Sequence, residues 1–287
     1  MVIKGLDTLD MPSEPGTDLV FLGSSRCYAH FDPLLFERQL PVKAVNIGVD
    51  GHSELTMQML RLMNYLAKNK APRSAILSFD PLVSAGSVDD NPNMVNKNEF
   101  ARYAFWPTAA NEPIVRYFKF DWTEKYVPLY AFLRYKLFPD CITLPNDKEW
   151  RTKRYNRHDE NWDTLSHPAG DTSIMRAFFD TSAANMSRIE TNLRSIDSLC
   201  KQHNTRLICV QTPVYRSIYR ESYFARTGQI CSRLNISFFD LSSGPIKEDI
   251  SNFYNSDHLN TKGISQMTAE LFSRPAFRQL LSPTRKD

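Results

Sequence analysis

The chain is short of several things that would settle its class quickly. No run of 18 apolar residues occurs in its 287 residues, so no segment has the length and hydropathy of a membrane-spanning helix. Residues 1–17 contain no apolar segment of the kind a signal peptide needs, and their Pro/Glu/Gly character reads as a linker-like tail. Such a tail fits an upstream anchor or signal. With one, the expected location is the cell envelope, on the periplasmic or extracytoplasmic side; without one, it is the cytoplasm. The five cysteines (Cys27, Cys141, Cys200, Cys209, Cys231) are odd in number and widely spaced with no CxxC pair, so neither a zinc site nor a disulfide framework is indicated. His30, His158, His167 and His203 have no spaced partner, so no metal is expected. An excess of charge of one sign is also lacking. The net charge is only +3, and its one local excess, Trp150 to Arg154, reads as a solvated loop face. Without a concentrated basic stripe, nucleic acid is not an expected partner. Internal repeats and low-complexity tracts are absent as well.

What is present is a core-forming composition, with 42% hydrophobic and 12% aromatic residues. Short apolar runs of strand length occur at residues 18–22, 44–47, 74–79, 206–210 and 236–239, each ending in turn or polar residues. Between them lie helical patterns at three-to-four spacing: Leu55, Met59, Leu62, Met63 and Leu66, then Met186, Ile189, Leu193, Ile196 and Cys200. Near-continuous apolar strands alternating with amphipathic helices predict an α/β fold, a three-layer α/β/α sandwich on a mainly parallel five-stranded sheet. The single domain is expected over residues 18–280. Within it, residues 84–172 break the alternation with aromatics and prolines and read as a large insertion after strand three. That insertion is expected either to lie over the carboxyl edge of the sheet or to form a satellite core; its interleaved Arg116, Lys119, Lys125, Arg134 and Lys136 also suit a membrane surface.

Ligands on such sheets bind beyond the carboxyl ends of the strands. The polar clusters all fall there: Gly23-Ser24-Ser25 after the first strand, Asn46 to Ser53 after the second, Ser78 to Pro81 after the third, and Gln211 to Tyr215 after the fourth, with Asn255 to Asn260 before the last helical segment. The opposite turns, at residues 69–72 and 203–205, carry no comparable set.

These blocks resemble the SGNH (GDSL-type) hydrolases, whose fold is flavodoxin-like. Ser25 stands in the nucleophile's place of the Gly-Asp-Ser block, Asn46 to Gly51 match the Asn-x-x-x-x-Gly turn, and Asn255-Ser-Asp-His258 match the final Asp-x-x-His. GSSR, NIGVDG, FDPL and DHLN are similar to a branch associated with bacterial cell-envelope polymers, including O-acetyl transfer and lipoteichoic-acid D-alanylation proteins. The resemblance implies a serine esterase or acyltransferase acting on O-acyl, chiefly O-acetyl, groups of a carbohydrate or envelope polymer, without a cofactor and with a membrane-bound acyltransferase as a further partner. His258 would be the base, and the backbone N–H groups of Ser25 and Gly51 the oxyanion hole. Arg26, His52, Asp80 and Tyr215 are candidate substrate contacts.

Two positions depart from the pattern. Ser78 to Pro81 offer Asp80 where the third block has an asparagine, and Asn255 stands where the orienting aspartate would, leaving Asn255 and Asp257 as competing partners of His258. If Asn255 orients the ring, Asn255→Asp should raise turnover; if Asp257 does, Asp257→Asn should be the damaging change. The same departures support a rival expectation, a catalytically impaired module that binds glycan.

Overall fold

The computed structural model describes residues 16–48, 54–79, 112–127, 130–134, 153, 155, 157–165 and 179–282. Five strands form one sheet: β1 (Leu19–Leu22), β2 (Ala44–Asn46), β3 (Ser74–Ser78), β4 (Arg206–Gln211) and β5 (Ser237–Asp240). They are hydrogen-bonded in the order β2-β1-β3-β4-β5, and every pairing is parallel. Register is continuous across the sheet, with Phe21 opposite Asn46, Leu22 opposite Leu77, and Gln211 opposite Asp240.

Alternation along the strands divides the core into two faces. Val20, Leu22, Val45, Ala75, Leu77, Leu207 and Cys209 point to one side, against α3 (Leu55–Lys68), α7 (Ala183–Gln202) and α8 (Glu221–Arg233). Leu19, Phe21, Ala44, Ile76, Ile208 and Val210 point to the other. There they meet α1 (Ser25–His30), α2 (Pro33–Gln39), α9 (Thr261–Ser273) and α10 (Pro275–Leu281). This is the expected three-layer arrangement. Cys27, Cys200, Cys209 and Cys231 are buried in these cores and join no disulfide among the described residues.

The apolar pattern of α3 is broader than its spacing suggested. Met59 and Leu66 are only partly buried, whereas Met57 and Leu60 are buried on a second face. That face holds a satellite cluster with Ile114, Val115, Phe118, Phe120 and Ala131, from α4 (Glu112–Tyr117), α6 (Tyr130–Arg134) and the loop after α4. Between them, α5 (Trp122–Tyr126) leaves Trp122 exposed. Of the 84–172 stretch, these described helices therefore form a second layer on α3, and the cluster contains no candidate site residue. Lys153, expected on a solvated face, is half-buried and paired with Glu37.

The strand order reverses direction between β1 and β3, the point at which sheets of this order open a crevice at their carboxyl ends. Gly23 leaves β1 there with φ 151°, and a Cβ on it would lie 2.5 Å from the Cys27 Cβ and 2.9 Å from the Ser78 Cβ. Only glycine satisfies both the dihedral and the space. Helix α1 can consequently start directly against the end of the sheet.

Candidate active site

Ser24 is the N-cap of α1 and its hydroxyl accepts the Arg26 N–H at 3.3 Å. Ser25 is therefore the first helical residue, and its own N–H has no acceptor within the helix. Ser25 is half-buried at the carboxyl edge of the sheet. The Ser25 Oγ lies 2.9 Å from His258 Nε2, although the two residues are 233 positions apart. The expected pairing of serine and histidine is thus present as a direct contact.

Behind His258, both competing partners reach Nδ1: Asn255 Oδ1 at 3.1 Å and Asp257 Oδ1 at 3.2 Å. The Asn255 oxygen also accepts the backbone N–H groups of Asp257 at 3.1 Å and His258 at 2.8 Å. Two backbone donors require an oxygen, so the orientation of the amide is fixed by the network. Asn255 accordingly builds the turn on which Asp257 and His258 sit, and Asp257 supplies the charge. Asp257 is buried, which by itself would raise its carboxyl pKa. The His258 charge and hydrogen bond, the Arg26 charge and the residue's own backbone N–H outweigh burial and hold it below the usual carboxylate range. An ionised carboxylate then faces the imidazole at neutral pH.

Other expected site residues lie elsewhere. Arg26 is fully buried, and its guanidinium donates to the Thr212 carbonyl and hydroxyl at 2.8 and 2.6 Å and to the Pro213 carbonyl at 2.8 Å. It ties α1 to the loop after β4 and is not placed to meet a substrate. Tyr215 is only 7% exposed, edge-on to Trp162 and Phe253 with ring centroids 5.1 and 5.6 Å away. It is a core residue beneath the His258 loop, and its backbone N–H donates to the Ser256 carbonyl at 2.9 Å. Gly51, His52 and Asp80 lie outside the described residues.

The asparagine of the second block is structural. Asn46 is fully buried, donating to the Cys27 and Phe31 carbonyls at 2.8 and 2.9 Å and accepting the Gly48 N–H at 2.9 Å. This clamps the loop after β2 onto α1 and occupies the Gly48 N–H. Two residues named in the sequence were given no role in the site. His30, at the last position of α1, is fully buried, accepts the Leu259 N–H at Nε2 (2.9 Å) and meets Thr212 Oγ1 at Nδ1 (3.1 Å). Asn260 caps α9 by accepting the Gly263 N–H at 3.2 Å and donates to the Ser251 and Phe253 carbonyls at 2.9 and 3.2 Å. The signal for Asn260 was there, as an asparagine just before an apolar helical period. His30 gave none, because its partners are a backbone amide and a distant threonine. Among the described residues no cluster of three or more His, Cys, Asp or Glu side chains could hold a metal ion.

A parallel sheet in this order, with serine directly after the first strand and histidine before the last large helix, is the α/β arrangement that the sequence blocks led one to expect. Two solved structures resemble it over nearly their whole length. One, from Bacteroides fragilis, is assigned as an acylhydrolase and has 12% sequence identity and a TM-score of 0.45, with 96% of this chain and 95% of that one covered. The other is a GDSL-like lipase from Bacteroides thetaiotaomicron, with 10% identity, a TM-score of 0.44, and 95% and 94% covered. No protein-family model and no curated protein matches the chain. At such distances the likenesses say nothing about individual residues, whose roles must be argued from the contacts above.

Proposed function

We propose that the protein is a serine esterase or acyltransferase acting on O-acyl groups, chiefly O-acetyl, of a carbohydrate or cell-envelope polymer. The observation that carries the reading is the 2.9 Å contact between Ser25 Oγ and His258 Nε2, backed at Nδ1 by Asp257. A serine hydroxyl attacks a carbonyl effectively only if a base takes its proton during attack. In the tautomer that leaves Nε2 free to accept, Nδ1–H donates toward Asp257 Oδ1 and Asn255 Oδ1, which holds the ring in line.

Ser25 Oγ bonds to the acyl carbon, its proton passes to His258 Nε2, and the carbonyl electrons move onto oxygen. The Ser25 N–H at the start of α1 supplies one oxyanion donor, and Gly51 is the proposed second. The imidazolium, stabilised by the ionised Asp257, then protonates the departing sugar oxygen. Water or an acceptor hydroxyl, deprotonated by the same histidine, releases the acyl group from Ser25. The first acceptor gives hydrolysis and the second gives transfer.

The substrate class rests on the resemblance of the sequence blocks to envelope-polymer proteins. The same resemblance supports an envelope location and a membrane-bound acyltransferase as partner; no described helix is long and apolar enough to cross a membrane. The test is acetate release or transfer on an O-acetylated polysaccharide, with Ser25→Ala as the blank. Ser25-dependent turnover that exceeds that on a small chromogenic acetyl ester supports the substrate class. Equal or better kcat/KM on the small ester removes it, and no Ser25-dependent turnover of either favours a glycan-binding module.

A further inference from the structure

Helix α1 carries chemistry at both ends. Ser25 stands at its first position and His30 at its last, roughly 7.5 Å apart along the axis at the helical rise. The 258–259 segment is fastened to both, through the His258 imidazole on Ser25 Oγ and the Leu259 N–H on His30 Nε2. The second fastening requires a particular state of His30. Its Nε2 lone pair is an acceptor, so the single proton of a neutral ring sits on Nδ1 and donates to Thr212 Oγ1, which is also held by Arg26 Nη2. The His30 and His258 rings meet edge-on, with centroids 5.9 Å apart.

We propose that His30 is a positioning residue for the base: by accepting the Leu259 N–H it holds the His258 loop in register with the helix that bears Ser25. The inference rests on the reading of Ser25 and His258 as nucleophile and base. The neighbouring bonds of the loop run within it (Asn255 to residues 257 and 258, Tyr254 N–H to the His258 carbonyl) or to the loop after β4 (Tyr215 N–H to the Ser256 carbonyl), whereas the His30 bond reaches α1 itself. Without His30 the turn keeps its shape but loses its backbone bond to the helix that carries Ser25, which loosens the distance between the two. A displacement of about 1 Å at a reacting pair costs on the order of 100-fold in rate.

Neutrality is built into the surroundings of His30. Burial comes first; the positive charge of Arg26 from α1, His258 from its loop and His158 from the 157–165 segment add to it, and all of them push the His30 pKa well below its usual value. The acceptor lone pair is thus retained through the neutral range.

Two variants isolate the acceptor. His30→Phe keeps a ring but offers Leu259 nothing, whereas His30→Gln places an amide oxygen near the Nε2 position. The fluorophosphonate labelling rate of Ser25 should fall about 10- to 100-fold in His30→Phe and return to within about fivefold of wild type in His30→Gln. Substrate KM should stay nearly unchanged in both. Hydrogen exchange of the 255–260 peptide should quicken in His30→Phe and remain protected in His30→Gln, and this readout holds whether or not Ser25 is the nucleophile. Wild-type labelling and exchange in folded His30→Phe overturn the proposal, as does equal loss in the two variants. If His30→Phe does not fold, His30→Gln decides alone: near-wild-type labelling and protection support it, and a large loss of either sinks it. Should wild type resist labelling altogether, the nucleophile reading fails while the exchange result still judges the position of the loop.

Discussion

The two halves of the candidate site are held by different forces. The Ser25 half is set first by packing, to which Arg26 and Asn46 add buried polar ties: Gly23 has no room for a methyl group, Cys27 and Phe31 are fully buried, and α1 starts flush against the sheet. The His258 half is fixed by polar contacts from Asn255, His30 and Asn260 to backbone groups of its own loop. A packed element tolerates polar change and fails when volume is added. A hydrogen-bonded loop does the reverse, and each lost partner leaves a buried group unsatisfied at a cost of about 1–3 kcal/mol.

The largest expected effect is therefore on the packed side. Gly23→Ala adds a carbon 2.5 Å from the Cys27 Cβ at a φ of 151°, and neither neighbouring Cβ is the end of a flexible chain. Expression with thermal denaturation should show little folded protein, or a folded form with its Ser25 activity lost. A variant with wild-type stability and turnover would mean that α1 is not held as described.

On the polar side, Asp257→Asn keeps an acceptor or donor of the same shape beside Nδ1 but removes the charge that stabilises the imidazolium. It should lower kcat by roughly 100- to 10,000-fold with KM little changed. Asn255→Asp should move kcat by less than about fivefold. Its oxygen already serves two backbone N–H groups, and a second carboxylate adds little beside an ionised Asp257. Steady-state kinetics on one acetyl ester ranks the two. A gain from Asn255→Asp larger than the loss from Asp257→Asn would hand the orienting role to Asn255.

The smallest effect is a slope. His30 has a folded pKa below its unfolded value of about 6.5, so between the two the unfolded chain binds the extra proton. Its contribution to stability is constant above about pH 6.5 and is lost as pH falls below it. Asp257, whose folded pKa is depressed, loses its own contribution only lower, as pH drops through the ordinary carboxylate range near 3.8. Urea midpoints measured from pH 7.5 to 5 should decline for wild type and more shallowly for His30→Gln. Parallel curves would show that His30 is not the group responsible.

Much of this arrangement could be read from the residues alone. Buried parallel strands leave unbroken apolar runs, and all five were placed to within a residue or so at each end. The polar endings of those runs marked the edge where Ser25 and His258 meet. The remainder depended on information that side-chain type does not carry. An arginine beside a nucleophile suggests a ligand contact, but Arg26 turns inward because three acceptors from Thr212 and Pro213 wait there. Tyr215 follows a strand as a site residue would, yet two aromatic rings enclose it. Whether Asp257 reached His258 depended on the turn made by Asn255, and the role of His30 on a backbone amide 229 residues away. The second apolar face of α3 was hidden because its partners, Ile114 and Phe118 among them, lie in a stretch without a clear period.

The central claim is that Ser25 is activated by His258, and covalent labelling tests it most directly. An activated fluorophosphonate should add once per chain, peptide mass spectrometry should place the adduct on Ser25, and His258→Ala should slow its formation by at least about 1,000-fold while the protein stays folded. An adduct on another serine, no adduct under conditions that label a control serine esterase, or unchanged labelling in His258→Ala would contradict the account.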